Sequence, residues 1–278
     1  MKAITDVMGV SRSNQYRKPK KTRRRAYRKS GDDLYLALIR RITDQRASYG
    51  YRRATTLLNK ELEKEGRAPV NHKRVYRIMK ANGLLLQRYT GLPARHHYGT
   101  IMQDRSNVRW CSDVFEIACW SGERLRIAFS MDCCDREVMG YVATTGGISG
   151  DMVRDLMVES VEQRFGKTDT LPGRIQWLSD NGPAYIAHET RRFAEMIGLD
   201  LCTTPYRSPQ SNGMAEAFVK TFKRDYVQLN PLYNARHVMA QLPQWFEDYN
   251  EVHPHKALKM RSPREYRKLT SKLEECPV

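Results

Sequence analysis

Apolar residues recur at two periods along this chain, and the change of period divides it. Between Asp32 and Gly83 the spacing is helical. Leu34, Leu38 and Ile42 mark one helix. Leu57, Leu58 and Leu62 mark a second, entered through Ser48-Tyr49-Gly50-Tyr51-Arg52-Arg53. Val75, Ile78 and Met79 mark a third, which Asn71 caps and Gly83 closes. From Val108 the pattern changes to strands, at 108–117, 125–133, 138–144, 175–179 and 200–204. The second and third read as a hairpin turning near Asp135-Arg136. Helices are expected at 149–165, 188–197, from 212 to about 227, and at 235–249. The β-β-β-α-β-α-β-α order predicts an α/β fold: a mixed five-stranded sheet flanked by helices, preceded by an all-α region.

Residues 1–30 read as a partial helix-turn-helix and a basic arm. Ile4–Met8 and Arg12–Tyr16 flank a glycine turn, as if an upstream segment completed the unit. Residues 17–29 hold nine Lys/Arg and no acid, including Arg23, Arg24 and Arg25. Residues 31–86 form the helical domain. Residues 87–106, without apolar periodicity, are a linker. Residues 107–270 form the α/β core with C-terminal helices, and 271–278 a tail.

Charge sharpens this division. The net charge is +17, but residues 1–100 carry +18 and residues 101–278 carry −1. A basic module attached to a near-neutral one points to a polyanion, and double-stranded DNA is the first candidate. The third helix has Lys73, Arg74 and Arg77 largely opposite its apolar face, as in a helix-turn-helix-type reader. The six cysteines include no Cys-x-x-Cys pair, and no apolar run is long enough to span a bilayer. Reduced thiols, a cytoplasmic location and no membrane partner are expected.

Three carboxylates carry the candidate chemistry. Asp113 interrupts an apolar strand, Asp180 ends another before Asn181-Gly182-Pro183, and Glu216 lies in a helix. Sixty-six and thirty-five residues separate them. Two strand ends and a helix could form an oxygen cage for Mg²⁺, with Mn²⁺ as substitute. Two ions could serve phosphodiester transfer, Asp113 bridging them and the other acids each completing one shell. Without metal, three nearby carboxylates repel, so disorder or a raised pKa is expected there. Each acid also has an ordinary reading: Asp before Asn-Gly is a common turn former, and Glu216 a solvated helix residue. Glu116 and Asp132 are rivals that fit the spacing poorly. His253 and His255 read as packing or capping groups.

Seven words in order carry a resemblance over about residues 4–268. They are Tyr49-Gly50-Tyr51-Arg52-Arg53, Val70 to Arg77, Trp110 to Asp113, Ser179-Asp180-Asn181-Gly182, Ser208-Pro209-Gln210-Ser211-Asn212-Gly213 running to Glu216, Tyr249-Asn250 through His253-Pro254-His255, and Ser262-Pro263. Together they resemble the retroviral-integrase-like DDE transposases, and more narrowly the downstream-frame protein of a large bacterial insertion-sequence family. The resemblance implies an RNase H-like core that cleaves DNA ends and transfers strands, with Asp113, Asp180 and Glu216 catalytic. It implies Lys223 as a basic companion on the Glu216 helix; Lys220, four residues after Glu216, shares that face by geometry. Gln210 and Asn212 are candidate DNA contacts near the reacting bond. A homo-oligomer on DNA and fusion to an upstream-frame protein are further implications. The His/His/Cys/Cys zinc module of retroviral integrases is absent, since the first cysteine is Cys111. A DNA-binding regulator without catalysis and a nuclease that cuts without joining remain alternatives.

Overall fold

The computed structural model describes residues 29–87, 103–167, 171–203 and 213–274. Three helices come first: α1 (Asp32–Gln45), α2 (Tyr51–Lys64) and α3 (His72–Ala81). They bury Ile39, Ile42, Ala54, Leu58, Leu62, Val75, Ile78 and Met79 against one another. The caps act as the sequence predicts. The Asn71 side chain accepts from the Lys73 amide at 2.8 Å. Gly83 adopts φ +69°, a left-handed conformation that lets Leu84 N–H reach the Met79 carbonyl at 2.9 Å.

The second unit is built on five strands: β1 (Arg109–Ala118), β2 (Arg124–Asp132), β3 (Val138–Thr144), β4 (Ile175–Ser179) and β5 (Leu199–Thr203). Their order is β3-β2-β1-β4-β5. β2 runs antiparallel to β1 and β3, while β4 runs parallel to β1 and β5. This is the RNase H-like arrangement that the resemblance implied. Helix α4 (Gly150–Phe165) is capped by the Ser149 hydroxyl, which accepts from Met152 N–H at 3.2 Å. Two helices follow β4: α5 (Pro183–Ile186), a single turn the periodicity did not reveal, and α6 (His188–Met196). Then come α7 (Gly213–Asp225), a 3₁₀ turn (Val227–Leu229), α8 (Ala235–Glu251) and α9 (Pro263–Glu274).

Strand alternation gives the sheet two apolar faces. Cys111, Phe115, Ile117, Ile127, Phe129 and Met131 pack against α7 and α8. Trp110, Ala128, Met139, Ile175 and Trp177 pack against α4, α5 and α6. Asp113 falls in the first set by parity and breaks the apolar run of Cys111, Phe115 and Ile117 on that face of β1.

The turn between β2 and β3 is fixed by a buried ionic hub. Arg164, at the end of α4, donates to Asp135 at 2.5 Å and to Glu137 at 2.6 Å, and its guanidinium lies 3.2 Å from Asp132. Arg264 and Arg267 of α9 each reach Glu137 at 2.9 Å. So Asp132 belongs to a structural network. Its carboxyl is pushed up to about 6 by burial and by Asp135, against the pull of Arg164. Glu116 pairs with Arg126 at 2.7 Å.

Candidate active site

Register brings two of the acids together. The last β1–β4 pair is Cys111↔Leu178. Asp113 and Asp180 each follow by two residues. Equal offsets on parallel strands about 4.8 Å apart place both acids at one level, where the ladder ends and the strands part. Both keep the parity of Cys111 and Leu178, which face α7. The site therefore opens outside the carboxyl end of β4, where open α/β sheets leave a crevice.

The turn after β4 holds Asp180 by a local bond. Its Oδ1 accepts from Gly182 N–H at 3.0 Å. A Cβ on Gly182 would stand 2.9 Å from that same oxygen, so a larger residue there would push the carboxylate aside. The turn former and the candidate ligand are thus one residue. Tyr185, buried in α5, ties this turn to β1: its hydroxyl lies 2.7 Å from the Ser112 hydroxyl. Burial raises the Tyr185 pKa far above its ordinary value, and the charges of Asp113 and Asp180 raise it further.

Glu216 comes from the first turn of α7. Ala215, Phe218 and Phe222 are the buried stripe of that helix. Phe218 meets Phe129 with ring centroids 4.4 Å apart, and Phe222 meets Phe115 at 5.7 Å. Asp113 pairs with Phe129 across the β1–β2 ladder, so this aromatic contact brings α7 to the level of Asp113. Glu216, Lys220 and Lys223 follow one another at helical spacing on the neighbouring stripe. The Lys223 ammonium stands 5.8 Å from the centre of the Phe115 ring, two residues along β1 from Asp113.

The electrostatics join the three acids. Asp113 is half-buried, and its pKa is pushed up to about 6. Burial is the largest cause; the Val114 amide, 2.8 Å from its carboxylate, opposes it; the charges of Asp180 and Glu216 raise it further. Mutual repulsion among neighbouring carboxylates acts in this direction. Oxygen donors under mutual repulsion fit a hard divalent cation in kind. Among the described residues, no group of three or more His, Cys, Asp or Glu is drawn together tightly enough to hold an ion. The acids feel one another without meeting.

The other predicted contacts divide. Lys73 is exposed on α3. Arg74 and Arg77 pair with Asp32 of α1 at 2.8 and 2.7 Å, and Arg74 also lies over the Tyr35 ring at 4.7 Å. Arg23, Arg24, Arg25, Gln210 and Asn212 lie outside the described residues. Sequence reasoning counted Tyr49 to Arg53 with the DNA-binding third; the structure uses Tyr49 and Arg53 to dock the helical unit on the core. His253 and His255 are buried and pack there, as expected. Tyr185 was missed; its only sequence signal was an aromatic five residues after Asp180.

An HTH-like domain matches residues 30–90, and two integrase core domain models match residues 103–209 and 198–263. Transposase InsD for insertion element IS2A/D/F/H/I/K of Escherichia coli is 48% identical over 244 residues, 87% of this chain and 81% of that protein. Transposase InsD for insertion element IS2-9 of Escherichia coli K12 is also 48% identical, over 87% of this chain and 79% of its own. Among solved structures, the catalytic core domain of BIV integrase is 16% identical over 61% of this chain and 99% of that chain, with a TM-score of 0.43. The catalytic domain of Mos1 mariner transposase is 14% identical over 61% and 78%, with a TM-score of 0.44. No helix among the described residues is long and apolar enough to cross a membrane. With an HTH-like domain, an integrase core and close identity over most of its length, the chain belongs to the insertion-element transposases.

Proposed function

We propose that the chain cuts and joins DNA at the ends of its own insertion element, with Asp113, Asp180 and Glu216 holding two Mg²⁺ ions for which Mn²⁺ can substitute. The observation that carries this reading is the β1–β4 register, which sets Asp113 and Asp180 at one level, each two residues beyond the last pair. Their charges, with that of Glu216, also repel, which helps to raise the Asp113 pKa. A divalent cation relieves such repulsion, and Asp113 would be the ligand common to both ions. When bound, the ions activate the oxygen nucleophile and stabilise the leaving oxygen. Water attacks a phosphodiester in the first step and releases a 3′-hydroxyl. That hydroxyl attacks target DNA in the second; in each step one phosphorus–oxygen bond forms as another breaks.

The chain's own residues orient the DNA. Lys220 and Lys223, on the Glu216 side of α7, neutralise phosphates beside the reacting bond. Gln210 and Asn212, just before α7, contact DNA close to that bond. Lys73, with Arg74 and Arg77, holds the backbone at α3, and the arm containing Arg23, Arg24 and Arg25 adds sequence-independent affinity. Two DNA ends must be processed together, so the working form is a homo-oligomer on double-stranded DNA in the cytoplasm. An upstream-frame protein is a candidate partner.

The test is Mg²⁺-dependent nicking and joining of DNA from the gene's own flanks, comparing this chain with Glu216→Gln. The expected result is that the substitution abolishes both reactions and leaves DNA binding intact. Equal activity in the two proteins would refute the site. Nicking without joining would instead favour a nuclease, and binding without either reaction a regulator.

A further inference from the structure

The helical unit and the core are joined by a clamp that reaches the far end of the Glu216 helix. Arg46, the residue that follows α1, donates to both Asp248 oxygens of α8 at 2.7 and 2.5 Å. Asp248 also accepts from the Tyr226 hydroxyl at 2.9 Å. The Tyr49 hydroxyl meets His253 Nδ1 at 2.8 Å in a fully buried contact. Arg53 donates to Asp225 at 2.9 Å, and Asp225 is the last residue of α7. Lys60 reaches Glu265 of α9 at 2.5 Å. Two guanidinium groups lie over the Tyr49 ring, Arg46 5.3 Å and Arg53 5.2 Å from its centre.

Three features distinguish this contact from incidental packing of two units. Tyr49 is 2% exposed and His253 0%, so the contact excludes water. The bidentate Arg46–Asp248 fork fixes orientation as well as proximity. The Asp225 side chain, 1% exposed, is saturated: besides Arg53 it accepts twice from Arg224 at 2.6 Å. Asp225 stands nine residues after Glu216 on one continuous helix, about 13 Å at the α-helical rise. On the other side, α1 and α2 share a core with α3. A continuous path of packed elements therefore runs from α3 through Arg53 and Asp225 to Glu216. The covalent connection through residues 88–102 is a separate route.

We infer that the Arg46–Asp248, Tyr49–His253 and Arg53–Asp225 clamp is a spacer that sets how far from the DNA bound at α3 the strand is cut, with Arg46, Tyr49 and Arg53 as positioning residues. This rests on the proposed function, since it takes α3 as the DNA-reading helix and Glu216 as part of the cutting site. A fixed body can cut at only one distance from its bound sequence. With the clamp open, the packed path from α3 to Glu216 is lost, and the cut position spreads.

The test uses the full chain and an end-labelled duplex carrying the element's own terminus, with nick positions read at single-nucleotide resolution in Mg²⁺. Arg46→Gln and the double variant Arg46→Gln/Tyr49→Phe are compared with the unaltered protein; DNA affinity is measured by fluorescence anisotropy. The expected result is one principal nick for the unaltered protein. The variants should show nicks spread to neighbouring phosphodiesters, more widely for the double variant, with affinity retained. The exchanged pair Arg46→Asp/Asp248→Arg should narrow the distribution again, which a general loss of stability would not do. A single nick at the original position in both variants would overturn the inference. So would a faster reaction at that position, which would make the clamp an inhibitory latch. If the unaltered protein binds the terminus but does not nick it, the proposed function falls, and this inference with it.

Discussion

The Tyr185 hydroxyl lies 2.7 Å from the Ser112 hydroxyl and so fastens the turn that carries Asp180 to the strand that carries Asp113. Both groups are buried, one residue from Asp113 and five from Asp180. Tyr185→Phe keeps the ring and removes this tie. Loss of such a bond costs about 1–3 kcal/mol where a partner stays buried, and displacement of reacting groups by about 1 Å can cost roughly 100-fold in rate. The expected outcome is a large fall in nicking rate and a higher Mg²⁺ requirement with a small change in Tm. Nicking that falls only in proportion to stability would show the tie to be structural.

Gly182 is a second control on the same acid. A methyl group there would stand 2.9 Å from Asp180 Oδ1 and drive the carboxylate out of its turn. Gly182→Ala should reduce nicking while thermal unfolding, a property of the core, moves little. Unchanged nicking would mean that the turn does not set the position of Asp180.

The hub at Arg164 concerns stability alone. Arg164→Met leaves Asp132 and Asp135 buried without the guanidinium that faces them, while Glu137 keeps Arg264 and Arg267. Breaking a buried ion network on one side costs about 3–5 kcal/mol. Urea unfolding should show a loss of that order, and a loss below about 1 kcal/mol, the worth of an exposed pair, would contradict the reading.

Acid sensitivity follows from His255. Burial first, then the charges of Arg136 and Arg53, push its pKa down from 6.5 to about 3. The folded value is the depressed one, so the unfolded chain takes up the proton first as pH falls. Stability present above pH 6.5 is therefore lost progressively between 6.5 and about 3. His253, held well below its ordinary value by burial and by His255, acts in the same direction. His255→Asn should flatten the dependence of the urea midpoint on pH without abolishing it. Identical slopes in the two proteins would rule this out.

DNA contacts should separate by salt dependence. Lys73 is exposed, whereas Arg74 and Arg77 also hold Asp32. Lys73→Ala should lower the slope of log affinity against log salt by about one without loss of Tm. Arg74→Ala should lower Tm as well, because it withdraws a partner from Asp32. Deleting residues 17–29 should weaken binding and flatten the slope. A flat response in the unaltered chain would remove the basic arm from the DNA interface.

Much of the fold was legible in order and period. The five strands, the caps Asn71 and Gly83, and the helices around Val75, Leu156 and Phe218 follow from local spacing, because backbone hydrogen bonding and one-sided burial act over a few residues. The single-turn helix α5 escaped because four residues carry no periodicity. The three acids were visible as residue types at a spacing, and so was the excess of positive charge in the first hundred residues.

What the sequence alone determined is therefore the set of elements, the division into a basic helical unit and a near-neutral core, and which carboxylates could meet. Tertiary structure decided how near they come. Register between β1 and β4 put Asp113 and Asp180 at one level, and the Phe218–Phe129 contact brought α7 and Glu216 to it. Packing also gave Tyr49 and Arg53 of the helical unit their partners in the core, His253 and Asp225. The partners stand 204 and 172 residues away in sequence. No local pattern encodes such pairs, because burial and ion pairing depend on which surfaces the whole chain brings together.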